Sequence, residues 1–203
     1  MICVIRVPST NMYRDVQQSD INKALDALRS GGLILYPTDT IWGIGCDATN
    51  SEAVDKIYRL KGRAQGKSLI VLLDNEHKLP SYVDDVPEIA YQLIEYTERP
   101  LTIVYSGAKN LAPNLLADDG SIGIRIATHA FCTPLLQRFR KPIVSTSANL
   151  SGQPSPKNFA AIPQEIIDGV DYVVNYGQDD TQEGTASIVM KLESGGKFSF
   201  LRK

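Results

Sequence analysis

Between Leu33 and Leu73 the sequence runs from a short apolar stretch through a helical stripe to a second apolar stretch, and few architectures accept that order. Leu33 to Tyr36 reads as a buried strand, stopped by Pro37, which lacks a backbone donor. Residues Thr38 to Gly45 are polar and punctuated by glycine, so they read as a loop. Ala53, Val54, Ile57 and Leu60 recur at helical spacing, with Thr49 and Glu52 placed as a capping box and Gly62 as the stop. Leu69 to Leu73 is apolar throughout. A strand, helix, strand series with uniformly apolar strands predicts crossovers onto a largely buried sheet, hence an α/β fold.

The remaining pattern extends that sheet. A short strand is expected over Met1 to Val7, then a helix capped by Ser19, with Ile21, Ala24, Leu25 and Leu28 on one face and Gly31-Gly32 at its end. Pro87 opens a helix through Ile94, Leu101 to Tyr105 is a strand, Thr133-Pro134 begins a helix through Phe139, and Pro142 to Ser145 is a strand. Leu150 to Pro156 reads as loop, Ile166 to Asp168 as the end of a short helix, and Tyr172 to Val174 as a strand. Ser187 to Leu192 and Phe198 to Leu201 read as a hairpin. In Ser121 to Ala127, Ile122, Ile124 and Ile126 alternate with Gly123, Arg125 and Ala127, so Arg125 leaves the strand on the face opposite the isoleucines, between small neighbours.

No repeat or linker divides these elements, so residues 1–203 are expected to form a single domain. At 43% hydrophobic and 22% charged, the composition excludes disordered, collagen-like and coiled-coil classes. Met1 to Val7 is too short for a signal segment and no run is long enough to span a bilayer, which places the chain in the cytoplasm without a membrane partner. A net charge of -2 excludes a surface built as a polycation, so any anion site must be a local cluster. Cys3, Cys46 and Cys132 are scattered and read as small buried hydrophobes, and with His77 and His129 the only histidines, no metal centre is expected.

Two motifs imitate nucleotide loops. Gly62 to Ser68 resembles a Walker A loop but has one residue too few and lies between a helix and a strand in the wrong order. Gly43-Ile44-Gly45-Cys46-Asp47-Ala48, with Asp74 at the end of the next strand, fits the loose dinucleotide fingerprint, yet its glycines stand too far from Pro37 to form the tight turn.

The chemistry rests instead on cations at element ends. Lys61, Arg63, Lys67 and Arg125 sit where strands and helices terminate, as convergence on a polyanion requires, and phosphate is the natural candidate. Thr38, Thr40, Ser145, Thr146 and Ser147 cluster where apolar strands are expected to leave the sheet, where open α/β sheets bind ligands beyond strand carboxyl ends. Their hydroxyls can orient carboxylate, ribose or phosphate oxygens.

Tyr36-Pro37-Thr38-Asp39-Thr40-Ile41-Trp42-Gly43, Lys61-Gly62-Arg63 and Ser145-Thr146-Ser147-Ala148-Asn149-Leu150-Ser151-Gly152, in this order, resemble the threonylcarbamoyl-AMP synthase (YrdC-like) family. The resemblance implies a twisted mixed β-sheet flanked by helices around a positively lined concave cavity. It implies an enzyme, a nucleotidyltransferase that joins L-threonine, bicarbonate and ATP into threonylcarbamoyl-adenylate and pyrophosphate. That product serves tRNA adenosine-37 (t6A) modification by a downstream threonylcarbamoyl transferase complex, with tRNA itself a further partner and Mg²⁺ entering with ATP.

Carried over residue by residue, the resemblance sets Thr40, Arg125, Ser145 and Ser187 around threonine and Arg63, Lys67, Ser121, Ser147, Asn149, Ser155 and Arg202 around ATP, with Lys61 and Arg63 as the catalytic pair. An Arg fork suits the amino-acid carboxylate, and cations that neutralise the phosphates would supply most of the catalysis.

The chain also departs from the family pattern. Leu72 stands where some members have a threonine-contacting His. Ala127-Thr128-His129-Ala130 replaces a Pro-x-His-Pro loop, and Ala186-Ser187-Ile188 replaces Pro-Ser-Thr. His129 reads as a loop histidine beside the cavity or as a strand-end cap, the structural role being favoured because the chemistry needs no imidazole. Two other functional classes stay open: an RNA-binding module without chemistry, and a divergent YrdC-like paralogue.

Overall fold

The computed structural model describes residues 10–63, 69–192 and 197–202. In chain order these form α1 (Thr10–Arg29), β1 (Ile34–Tyr36), β2 (Gly43–Gly45), α2 (Ser51–Leu60), β3 (Ile70–Leu73), α3 (Glu88–Tyr96), β4 (Leu101–Tyr105), β5 (Ile122–Ile126), α4 (Cys132–Phe139), β6 (Ile143–Ser147), α5 (Gln164–Asp168), β7 (Tyr172–Val173), β8 (Ile188–Leu192) and β9 (Phe198–Arg202). The strands pair into one mixed sheet in the order β7-β1-β2-β6-β3-β5-β4-β8-β9. β1 with β7, β3 with β5 and β4 with β8 run parallel, and the other pairs are antiparallel. The expected α/β fold with a mixed sheet flanked by helices is therefore the observed one.

Helix α1 buries Ile21, Ala24, Leu25 and Leu28, the stripe expected of it, and stops where Gly31 takes φ +74°. Its start is corrected: α1 begins at Thr10, with Ser19 inside the helix. No glycine or proline interrupts residues 10–29, and an interior Ser costs only about 0.5 kcal/mol, so a good cap residue need not be a start. The strand expected over residues 1–7 lies outside the described residues.

Three further expectations change. Thr49 does not cap α2; both its N–H and its hydroxyl donate to Asp47 Oδ1, at 2.8 and 2.7 Å. Asn50 is the cap, its side-chain oxygen accepting from the N–H groups of Glu52 and Ala53. The loop expected up to Gly45 contains β2, a central strand paired to β1 on one side and β6 on the other. Two of its three residues are glycine because the strand is flanked tightly: a Cβ on Gly45 would stand 2.7 Å from Val144 O and from the Tyr36 ring. The glycine fingerprint is thus a strand, not a dinucleotide turn. Finally, β6 continues through Ser147, so Ser145, Thr146 and Ser147 belong to the sheet.

The core is continuous across the sheet and its helices, from Leu25 and Ile34 through Ile57 and Leu72 to Leu135 and Met190. Cys46 and Cys132 are buried free thiols within it, as expected, and Cys3 lies outside the described residues. Among the described residues, no helix is long and apolar enough to cross a membrane.

Candidate active site

β5 positions the first cation. Ile122 and Ile124 face the core, and Arg125 shares the opposite face with its register partner Thr102 on β4. Thr102 Oγ1 lies 2.9 Å from Ser187 Oγ, just ahead of β8. Arg202 closes on the same serine, donating from Nε to Ser187 O at 2.9 Å and from Nη2 to Ser187 Oγ at 3.1 Å. A bulge makes this reach available: Phe200 pairs with Met190 and Arg202 with Val189, so Leu201 is an extra residue. Burial and the nearby charge of Arg125 push Arg202 below its ordinary pKa.

Arg63 follows α2 through Gly62, which takes φ +56°. Arg63, Arg125 and Arg202 meet Thr40, Ser145, Ser147, Ser155 and Ser187 around one cavity of about 200 Å³. The floor is the sheet itself, Gly43, Ile70 and the β6 hydroxyls. That corrects the expectation of a site beyond strand carboxyl ends, because mixed strand directions leave no common carboxyl edge at the sheet centre.

Three candidates stand off this wall. Lys61 is 2% exposed, and its ammonium donates to Ser147 O and, at 2.5 Å, to Asn149 O. Burial first, and the charge of Arg63 second, lower its pKa to about 8. Lys61 is thus a strut beneath the 145–152 motif. Asn149 ties the following loop, donating to Leu150 O at 2.9 Å and Gln153 O at 2.7 Å. Ser121 precedes β5 and gives its N–H to Asp119 Oδ1 at 3.0 Å. Lys67 lies outside the described residues. Leu72, the register partner of Arg125, is fully buried and does not reach the cavity.

The turn that supplies Thr40 is ordered by Thr38, whose hydroxyl accepts from Thr40 N–H at 3.1 Å and donates to Ile41 O at 2.7 Å. Thr40, Ile41 and Trp42 also border a second cavity of about 1160 Å³, walled by residues 37–42, 99–100, 175–180 and 182–185 with His129, Lys157 and Asn158. Gly184 lets these walls touch: a Cβ there would stand 2.1 Å from Thr40 O. His129 lines this larger cavity, not the cationic one, and its Nδ1 accepts from Phe131 N–H at 3.2 Å just ahead of α4, so it ties the loop before that helix rather than capping a strand end. Burial lowers its pKa and keeps it neutral.

Sequence reasoning did not single out Asp39. Its Oδ1 lies 3.1 Å from Arg125 Nη2, with both side chains under 10% exposed. The available signal was an acid set between two hydroxyl residues in a strand-end turn. Among the described residues, no three His, Cys, Asp or Glu side chains cluster as a metal site.

The model of the Sua5/YciO/YrdC domain, described as telomere recombination, matches residues 26–203. The chain belongs to the Sua5/YciO/YrdC family. The resemblance drawn from its motifs is therefore borne out. A threonylcarbamoyl-AMP synthase of Pseudoalteromonas translucida is 36% identical over 78% of the chain and 86% of its own length. The enzyme of that name from Escherichia coli K12 is 31% identical over 93% and 92%, and the human one 35% over 90% and 66%. In fold, the chain matches Pyrococcus abyssi Sua5 complexed with L-threonine at a TM-score of 0.79 and 24% identity, covering 94% of this chain and 54% of that one. The chain thus spans about half the length of that solved relative. It also matches Escherichia coli YciO at 0.75 and 23%, covering 94% and 89%.

Proposed function

We propose that this chain makes threonylcarbamoyl-adenylate and pyrophosphate from L-threonine, bicarbonate and ATP. The observation that carries the reading is the convergence of Arg63, Arg125 and Arg202 with hydroxyls from separated segments on one small cavity, in a chain whose curated relatives bear the synthase name.

Arg125 takes the amino-acid carboxylate. Its Nε is buried and without a hydrogen-bond partner among the described residues, so a donor is free to meet that group. Thr40, Ser145 and Ser187 present hydroxyls for the β-hydroxyl and the amine. Arg63 and Arg202, with Ser147 and Ser155, receive the phosphates, and Lys67 belongs to the same set by its place in the motif.

The threonine ammonium gives a proton to solvent, and the free amine then adds to the bicarbonate carbon with loss of water, giving a carbamate. A carbamate oxygen then attacks the α-phosphorus, and the bond to the β-phosphate oxygen breaks as pyrophosphate leaves. Little proton chemistry falls to the protein, so fixed cations around the phosphates carry the acceleration by orientation and charge stabilisation. Mg²⁺ enters on the ATP phosphates. The product is the activated donor for tRNA adenosine-37, passed to a separate transferase complex in the cytoplasm, where its nucleotide and tRNA partners reside.

Calorimetric titration of threonine, serine and valine beside a non-hydrolysable ATP analogue tests this. Selective threonine binding that Arg125→Ala abolishes is the expected result; no binding of any of the three overturns the reading.

A further inference from the structure

The sheet floor of the small cavity is polar except at one place. Arg125, Arg202 and the β6 hydroxyls reach it from their strands, and Gly43 brings no side chain. Ile70 is the one apolar side chain that a strand contributes to this wall among the described residues. It faces the cavity because its register partners do: Ser145 on β6, and Gly123 on β5, which shares a face with Arg125.

Ile70 is half-buried and held from several sides. A Cβ on Gly123 would stand 3.1 Å from Ile70 Cγ2 and 3.2 Å from Thr102 Cγ2, so both methyl groups lie over the bare glycine backbone. Thr102 is fully buried, and its hydroxyl lies 2.9 Å from Ser187 Oγ, which fixes where its methyl group points. Leu72, fully buried beside Arg125, closes the floor behind. Being β-branched, Ile70 also has little freedom at χ1.

The amino-acid end of the cavity, beside Arg125, therefore sets a hydroxyl and a branched alkyl group on neighbouring strands, roughly 5 Å apart. Threonine carries the complementary pair on one carbon, since its Cβ bears a hydroxyl and a methyl group in a fixed hand. We propose that Ile70 selects threonine through its γ-methyl group, with Ser145 receiving the β-hydroxyl. Serine leaves the Ile70 surface without a partner. Valine sets a methyl group against the Ser145 hydroxyl, and L-allo-threonine exchanges the two groups so that both are mismatched. This rests on the synthase reading, with Arg125 as the threonine-carboxylate site.

The test is titration of L-threonine, L-serine, L-allo-threonine and L-threo-3-hydroxynorvaline, one methylene longer than threonine, beside a non-hydrolysable ATP analogue. The proteins are wild type, Ile70→Val and Ile70→Ala. Wild type should bind threonine at least about tenfold more tightly than serine or L-allo-threonine. In Ile70→Ala the threonine-to-serine ratio should fall at least about fivefold, through weaker threonine binding with serine unchanged. Both variants should bind 3-hydroxynorvaline more tightly than wild type does, because the shortened side chain leaves room for the extra methylene. A residue that only braced the fold would weaken every ligand alike. Wild-type binding of serine or L-allo-threonine as tight as that of threonine overturns the proposal, whether or not the alanine variant folds. So does an unchanged ligand ranking in Ile70→Val and Ile70→Ala. Wild type that binds none of the four overturns the synthase reading itself, a different result from either of these.

Discussion

The Lys61 ammonium lies 2.5 Å from the carbonyl oxygen of Asn149 and also donates to that of Ser147, while Lys61 O accepts from Ser151 N–H at 2.9 Å. One residue at the end of α2 thus clamps the motif that follows β6 from both its side chain and its backbone. Ser147 and Ser155 reach the cavity on the segment so held.

Replacing Lys61 by Met leaves two buried carbonyl groups without their donor. The expected loss is about 2–4 kcal/mol at neutral pH, read as a lowered urea midpoint. Binding of both substrates should fall with it, since the displaced segment carries cavity hydroxyls.

The same lysine gives a pH signature. Its folded pKa is lowered to about 8 from an ordinary 10.5, so between these values the unfolded chain holds more protons than the folded one. Stability should therefore rise with pH across that window, by up to about 3 kcal/mol at 1.36 per pKa unit, and be flat for this group below it. Urea midpoints of wild type measured against Lys61→Met through the window isolate the contribution. An unchanged difference would show that Lys61 does not titrate there.

Gly184→Ala places a methyl group 2.1 Å from Thr40 O, a backbone atom that cannot yield without moving the Thr38–Thr40 turn. Overpacking of this kind costs about 1–3 kcal/mol. Threonine KM should rise more than ATP KM, because Thr40 borders the amino-acid end. Steady-state kinetics with each substrate varied in turn checks the split.

Ser187→Ala removes one of the two Arg202 hydrogen bonds and the contact with Thr102, but leaves the Ser187 carbonyl in place. A single such bond is worth about 1 kcal/mol, so KM for ATP should rise about fivefold with the fold intact, and KM for threonine should rise as well because the same hydroxyl serves the amino acid. Thermal denaturation beside the kinetic assay separates the two effects.

Where one apolar pattern filled an element, the sequence was readable: Leu101 to Tyr105 is β4 from end to end, and the isoleucines of β5 placed Arg125 on the correct face. β2 was not readable, because Gly43-Ile44-Gly45 becomes a strand through close approach of Tyr36 and Val144, a tertiary constraint without local signature. The end of β6 was not readable for a similar reason, since Thr146 and Ser147 extend the strand expected to end at Ser145 only through pairing with Ile44 and Gly43 of β2. Motif order found the cationic site. It could not distinguish Lys61, which supports the wall, from Arg63, which forms it, nor show that Asp39 faces Arg125.

The central claim is tested most directly by pyrophosphate release. Purified protein with ATP, Mg²⁺ and bicarbonate should release pyrophosphate when threonine is added, and Arg125→Ala should release at least about tenfold less at subsaturating threonine. Release that does not depend on threonine, or that survives unchanged in Arg125→Ala, would contradict the assignment of this cavity to threonylcarbamoyl-adenylate synthesis.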